Sequence, residues 1–135
     1  MGEGRLTELV HRSYGILMSE GIDGWLEKVP AEDFVWELTA MGLGRHEGKD
    51  AMKRFYLEWT GSYEEWFIQP GKIEELSEEV VVNAVRQGGR LHGSEGNLIL
   101  DYGQLGVWDG ERLKLAANYW TFEEARADGI GMVGA

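Results

Sequence analysis

Asn97-Leu98-Ile99-Leu100-Asp101-Tyr102-Gly103-Gln104-Leu105-Gly106-Val107-Trp108-Asp109-Gly110-Glu111-Arg112-Leu113-Lys114-Leu115-Ala116-Ala117-Asn118-Tyr119 reads as two strands folded back on each other. Asp109-Gly110 is the turn, because Asp and Gly accept the positive φ angles of a tight hairpin. The same alternation of apolar and polar residues reaches upstream to Tyr63 and downstream to Phe122. It predicts strands over Tyr63–Ile68 (resuming near Ile73 after Pro70-Gly71), Val80–Gln87, Asn97–Trp108 and Arg112–Phe122, with Gln87-Gly88-Gly89 as a further break. Before this run the period changes. Leu6, Leu9, Val10, Tyr14, Leu17 and Met18 recur at three- and four-residue spacing, so a helix capped by Thr7 is expected to about Ser19. Gly21-Ile22-Asp23-Gly24 breaks it, and a short helix carrying Trp25, Leu26 and Val29 ends at Pro30. Phe34–Leu38 alternates as a strand, the glycines at 42, 44 and 48 imply a flexible loop, and Asp50–Trp59 is a third helix with Met52, Phe55, Tyr56 and Trp59 on its inner face. Helices followed by hairpins predict an α+β fold, with N-terminal helices packed on a curved antiparallel sheet.

Composition narrows the function classes. At 135 residues the chain fits one domain, placed here over residues 5–126, and residues 127–135, with three glycines and little periodicity, read as a poorly ordered tail. The absence of cysteine excludes disulfides, thiolate metal sites and cysteine nucleophiles. A net charge of −11 repels phosphate backbones and anionic lipid surfaces, so neither nucleic acid nor membrane is an expected partner. With no apolar signal core near Met1 and no run of membrane-spanning length, a cytoplasmic location is expected. His11, His46 and His92 are scattered without ligand spacing, and the paired glutamates read as solvated faces, so neither a metal centre nor a cofactor is expected. No phosphate-binding glycine motif follows a strand.

Four stretches carry a resemblance: Ser19–Leu26, Glu47–Phe55, Glu78–Arg86 with its glycine hairpin, and Trp108–Leu113 leading into Asn118-Tyr119-Trp120. In that order and spacing the chain resembles the nuclear transport factor 2-like superfamily, and within it the SnoaL-like proteins related to polyketide cyclases and ketosteroid isomerase. The resemblance implies a cone whose helices and curved sheet enclose a pocket, and commonly a dimer through the outer sheet face. It does not imply one activity, because the same cone hosts several chemistries and proteins with none.

Matched to ketosteroid isomerase, the carboxylate base falls near Leu38, which moves no proton. Glu37 beside it points to the other strand face. Tyr14 lies within about one residue of the isomerase's oxyanion-binding tyrosine. Asp101, in the otherwise apolar Leu98–Tyr102, is the closest acid to its protonated aspartate; desolvation there would raise its pKa, whereas a solvated Asp101 would pair with Arg86 on a neighbouring strand. The cyclase and epoxide hydrolase patterns are also incomplete, since Asn118 and Thr121 stand where a late-strand acid is sought. The candidate catalytic residues are therefore Asp101 and Tyr14, and the candidate ligand-binding residues Trp36, Phe55, Tyr56, Gln104, Asn118 and Tyr119. The missing bases favour a non-catalytic binder of a small apolar ligand; the alternative is a proton-transfer enzyme acting on a small apolar carbonyl compound. On the last strand Leu113, Leu115, Ala117 and Tyr119 share one side, so Trp120 and Phe122, with Trp66 or Trp108, are expected on the outer face as the apolar patch of a homodimer.

Overall fold

The structure is a computed structural model and describes residues 4–134. Helix α1 (Arg5–Lys28) buries Leu6, Leu9, Val10, Tyr14, Trp25 and Leu26 along one stripe. Its two expected pieces are nearly continuous, broken only at Gly21, whose φ of 77° and ψ of −174° interrupt the helical path. Thr7 is not the cap expected of it. Instead the Glu75 carboxylate accepts from both the Thr7 backbone N–H, at 2.9 Å, and its hydroxyl, at 2.8 Å. An acid at the positive end of the helix dipole stabilises it there.

Strand β1 (Pro30–Glu37), a 3-10 turn (Thr39–Met41), the short strand β2 (Arg45–Glu47) and helix α2 (Lys49–Thr60) follow. Long strands β3 (Tyr63–Glu75), β4 (Val80–Leu91), β5 (Asn97–Asp109) and β6 (Arg112–Tyr119) then form a meander, closed by helix α3 (Phe122–Gly134). One sheet holds all six strands in the order β2-β1-β6-β5-β4-β3. Its pairs are antiparallel except β1 with β6, so the sheet is mixed rather than wholly antiparallel. The segment expected as a flexible glycine loop contains an edge strand, β2, on which His46 stacks against Phe55 at 4.3 Å between ring centroids. Pro70 sits in β3, an edge strand, where its missing N–H costs no interior ladder bond.

Each sheet face has its own core. On the concave face α1 and α2 cover Phe34, Trp36, Val81, Val85, Tyr102, Trp108 and Leu113. On the convex face α3 covers Val80, Val82, Leu105 and Ala117. Burying a side chain such as Phe34 or Leu105 contributes about 1.5–3 kcal/mol, so both layers hold the fold together. The tail expected to be poorly ordered is thus helical through Gly134. Small residues make this possible: Ala125 and Gly129 are the buried positions of α3, and a Cβ at Gly129 would lie 2.5 Å from Leu76 and 3.2 Å from Leu105 and Val82.

Among the described residues no helix is long and apolar enough to cross a membrane.

Candidate functional site

The concave face and its two helices line a partly open cavity of about 60 Å³. Alternation on the strands supplies most of its wall. Trp66 and Ile68 of β3, Gln87 of β4, Tyr102 and Gln104 of β5, and Leu113 and Ala116 of β6 all point inward. Helix α1 adds Ser13, Tyr14, Leu17 and Trp25, α2 adds Met52, Tyr56 and Trp59, and Phe34 and Trp36 come from β1. Aromatic rings make up much of the lining. Trp36 and Trp59 lie 5.6 Å apart, Trp59 and Tyr102 6.1 Å, and Tyr56 meets Trp66 edge to face at 5.5 Å.

The polar side chains form two groups. In the first, Asn83 Nδ2 donates to the Tyr14 hydroxyl at 3.2 Å, Tyr14 donates to Gln104 Oε1 at 3.1 Å, and Gln104 Nε2 donates to Asn118 Oδ1 at 2.8 Å. In the second, the Tyr102 hydroxyl donates to Gln87 Oε1 at 2.7 Å. Among the described residues three buried side-chain N–H groups have no partner: Trp66 Nε1, Gln87 Nε2 and Asn118 Nδ2. Burial raises the pKa of Tyr14 and of Tyr102, and pushes that of Tyr56 up to about 12. All three hydroxyls stay protonated at neutral pH.

Of the expected site residues, Tyr14, Trp36, Tyr56 and Gln104 meet at this cavity. Phe55 stands behind Trp36, edge to face at 5.4 Å. Asn118, fully buried, lies behind Gln104 and touches the cavity only through it. Tyr119 is on the convex face, packed with the residues under α3; burial, and then the Asp128 carboxylate, raise its pKa.

Asp101 is also on the convex face. Its side chain is 59% exposed, and its carboxylate is paired with Arg86 through two bonds, Nε to Oδ1 at 2.7 Å and Nη2 to Oδ2 at 2.9 Å. The Arg86 hydrogen bond holds its pKa below the usual carboxylate value, the reverse of a desolvated acid. Tyr102 and Gln87, the next residues along their strands, take the inward positions instead. The Arg86 and Asp101 pair was the available signal, since cross-strand opposite charges mark an outer face and turn their neighbours in.

The expected facing of β6 also changes. Register runs Val107↔Leu115 but Trp108↔Leu113, so one extra residue bulges there. Leu113 and Ala116 therefore face the cavity, while Leu115, Ala117 and Tyr119 face α3. Trp66 lines the cavity and Trp108 is buried in the concave core; Trp120, 51% exposed, is the tryptophan left on the convex side. Next to it Gln69, Ala84, Arg86, Asp101 and Thr121 line a solvent-open groove of about 540 Å³.

Among the described residues no three His, Cys, Asp or Glu side chains are grouped to hold a metal ion. No protein-family model matches the chain. No curated protein matches it in sequence. Solved structures match its shape. TerC, co-crystallised with polyporic acid, superposes with a TM-score of 0.70 at 17% identity, covering 93% of this chain and 97% of TerC. An NTF2-like protein of unknown function from Burkholderia pseudomallei gives 0.69 at 18% identity, over 92% and 95% of the two chains. A protein from Catenulispora acidiphila with a ketosteroid isomerase-like fold, in complex with trimethylamine, gives 0.71 at 15% identity, over 90% and 92%. With the helices on the concave face and the six-stranded sheet behind them, the chain has the nuclear transport factor 2-like fold, an α+β cone.

Proposed function

We propose that the protein binds a small apolar molecule in the cone cavity and does not transform it. The observation that carries this reading is the wall itself, which among the described residues contains no carboxylate, histidine, lysine or arginine. General acid–base catalysis works best with a group whose pKa lies near the operating pH. The ionisable groups of this wall are tyrosines, and burial moves them further from neutrality. The Tyr14 proton is already committed to Gln104, and Asp101 is on the opposite face. That polyporic acid and trimethylamine are held by TerC and by the Catenulispora protein supports a small organic ligand for this fold. The proton-transfer alternative lacks a base within the cavity.

Cyclohexanone in deuterated buffer tests the reading. Saturable quenching of tryptophan fluorescence, with deuterium entering the ketone at the buffer rate, is the expected result. Accelerated deuteration that disappears in Tyr14→Phe overturns it in favour of proton transfer. The assembly that goes with this reading is a homodimer through the part of the convex face that α3 leaves open, where Ile99 and Trp120 are exposed.

A further inference from the structure

The polar groups of the cavity are not equally satisfied. Tyr14 and Gln104, at one side, spend their hydrogen-bonding capacity on Asn83, Asn118 and each other. At the other side two donors have nothing to bond. Gln87 is 1% exposed; its Oε1 is occupied by the Tyr102 hydroxyl, and its Nε2 has no partner. The Trp66 indole N–H is likewise buried and unpaired. Both side chains line the same cavity from neighbouring strands, one diagonal step apart, since Ile68 is the residue paired with Gln87 and Trp66 the one paired with Gly89. Buried N–H groups in native proteins are nearly always bonded, and exceptions inside a cavity mark where a ligand or a water supplies the acceptor.

Resting on the reading of the cavity as a binding site, we propose that Gln87 Nε2 and Trp66 Nε1 hold the carbonyl oxygen of a neutral ketone or aldehyde. Its apolar body then lies against Trp36, Tyr56 and Trp59. The chemistry of the wall selects this class. A carbonyl oxygen offers two lone pairs and brings no proton, which matches two free donors whose adjoining acceptors, Gln87 Oε1 and the Tyr102 hydroxyl, are already bonded to each other. An alcohol in the same place brings a proton that the engaged Gln87 Oε1 is poorly placed to take. A carboxylate would lose its hydration without meeting a cation, because the wall carries no Lys, Arg or His. A quaternary ammonium suits the aromatic rings but would face two N–H groups.

The test compares cyclohexanone, methylenecyclohexane, cyclohexanol and tetramethylammonium on the whole protein, with fluorescence for affinity and the tryptophan indole N–H signals in ¹H–¹⁵N spectra for contact. The Trp66 signal is assigned by its loss in Trp66→Phe. The expected result is cyclohexanone binding about tenfold tighter than its hydrocarbon isostere, a downfield move of the Trp66 N–H, and loss of that preference in the double variant Gln87→Leu/Tyr102→Phe, in which no freed Tyr102 hydroxyl can donate to the ketone in place of Gln87. The wild-type comparison stands even if a variant fails to fold. Equal binding of ketone and hydrocarbon, or tighter binding of the alcohol or the ammonium ion, overturns the carbonyl assignment and leaves the binding reading intact. If none of the four probes binds, both fall.

Discussion

Tyr14 is clamped between two amides, accepting from Asn83 and donating to Gln104. Tyr14→Phe leaves Gln104 Oε1 without its donor, while Asn83 Nδ2 keeps the Ala84 carbonyl at 3.0 Å. The expected loss is about 1–2 kcal/mol by urea unfolding, with ligand affinity within about twofold, because the hydroxyl serves the wall rather than the ligand. The buried tyrosines also make a pH prediction. An unfolded tyrosine ionises near pH ~10, whereas Tyr14, Tyr56 and Tyr102 resist ionisation because burial raises their pKa in the folded state. Above the unfolded value the unfolded chain therefore holds fewer protons than the folded one, so stability is intact below pH ~10 and falls as pH rises beyond it. Tyrosinate absorbance should accordingly appear in a cooperative step coincident with loss of the far-ultraviolet helix signal. Tyr14 was legible in the sequence because it shares the apolar stripe of a helix. Asp101 was legible only as an acid able to pair with Arg86, since on a strand a one-residue change of facing exchanges the two surfaces and the alternation of Leu98–Tyr102 does not say which is which.

At the scale of elements, α3 is the part the sequence concealed. Helices usually announce themselves by large apolar residues at helical spacing, but this one approaches the sheet through Ala125 and Gly129 and leaves Ile130, Met132 and Val133 exposed. The contact depends on closeness rather than on side-chain bulk. Gly129→Val should push α3 away from Leu76, Val82 and Leu105, lowering stability by about 1–3 kcal/mol and increasing dye binding to the uncovered face. The bulge between β5 and β6 has the same character. It turns Leu113 and Ala116 inward and Leu115 outward, and nothing in Leu113-Lys114-Leu115-Ala116 reveals where the extra residue sits.

For the whole molecule, the net charge of −11 lies outside a cavity walled by neutral side chains. The proposed dimer uses the convex strip beside α3, so Ile99→Glu should convert a dimer to a monomer in light scattering at about 50 μM, while Leu57→Glu, on α2, leaves it dimeric. A monomeric wild type at that concentration removes the dimer. The order of the elements from α1 to β6 apart from β2, the turn at Asp109-Gly110, the inner stripe of α1 and the aromatic face of α2 were determined by the sequence alone. Each depends on residues near one another in the chain, whose period or turn chemistry is local. The facing of Asp101, the pairing of β1 with β6, the docking of α3 and the meeting of Gln87 with Trp66 were decided only by the tertiary structure. They depend on strand register and on contacts between residues far apart in sequence, where one bulge or one glycine changes which side chains meet.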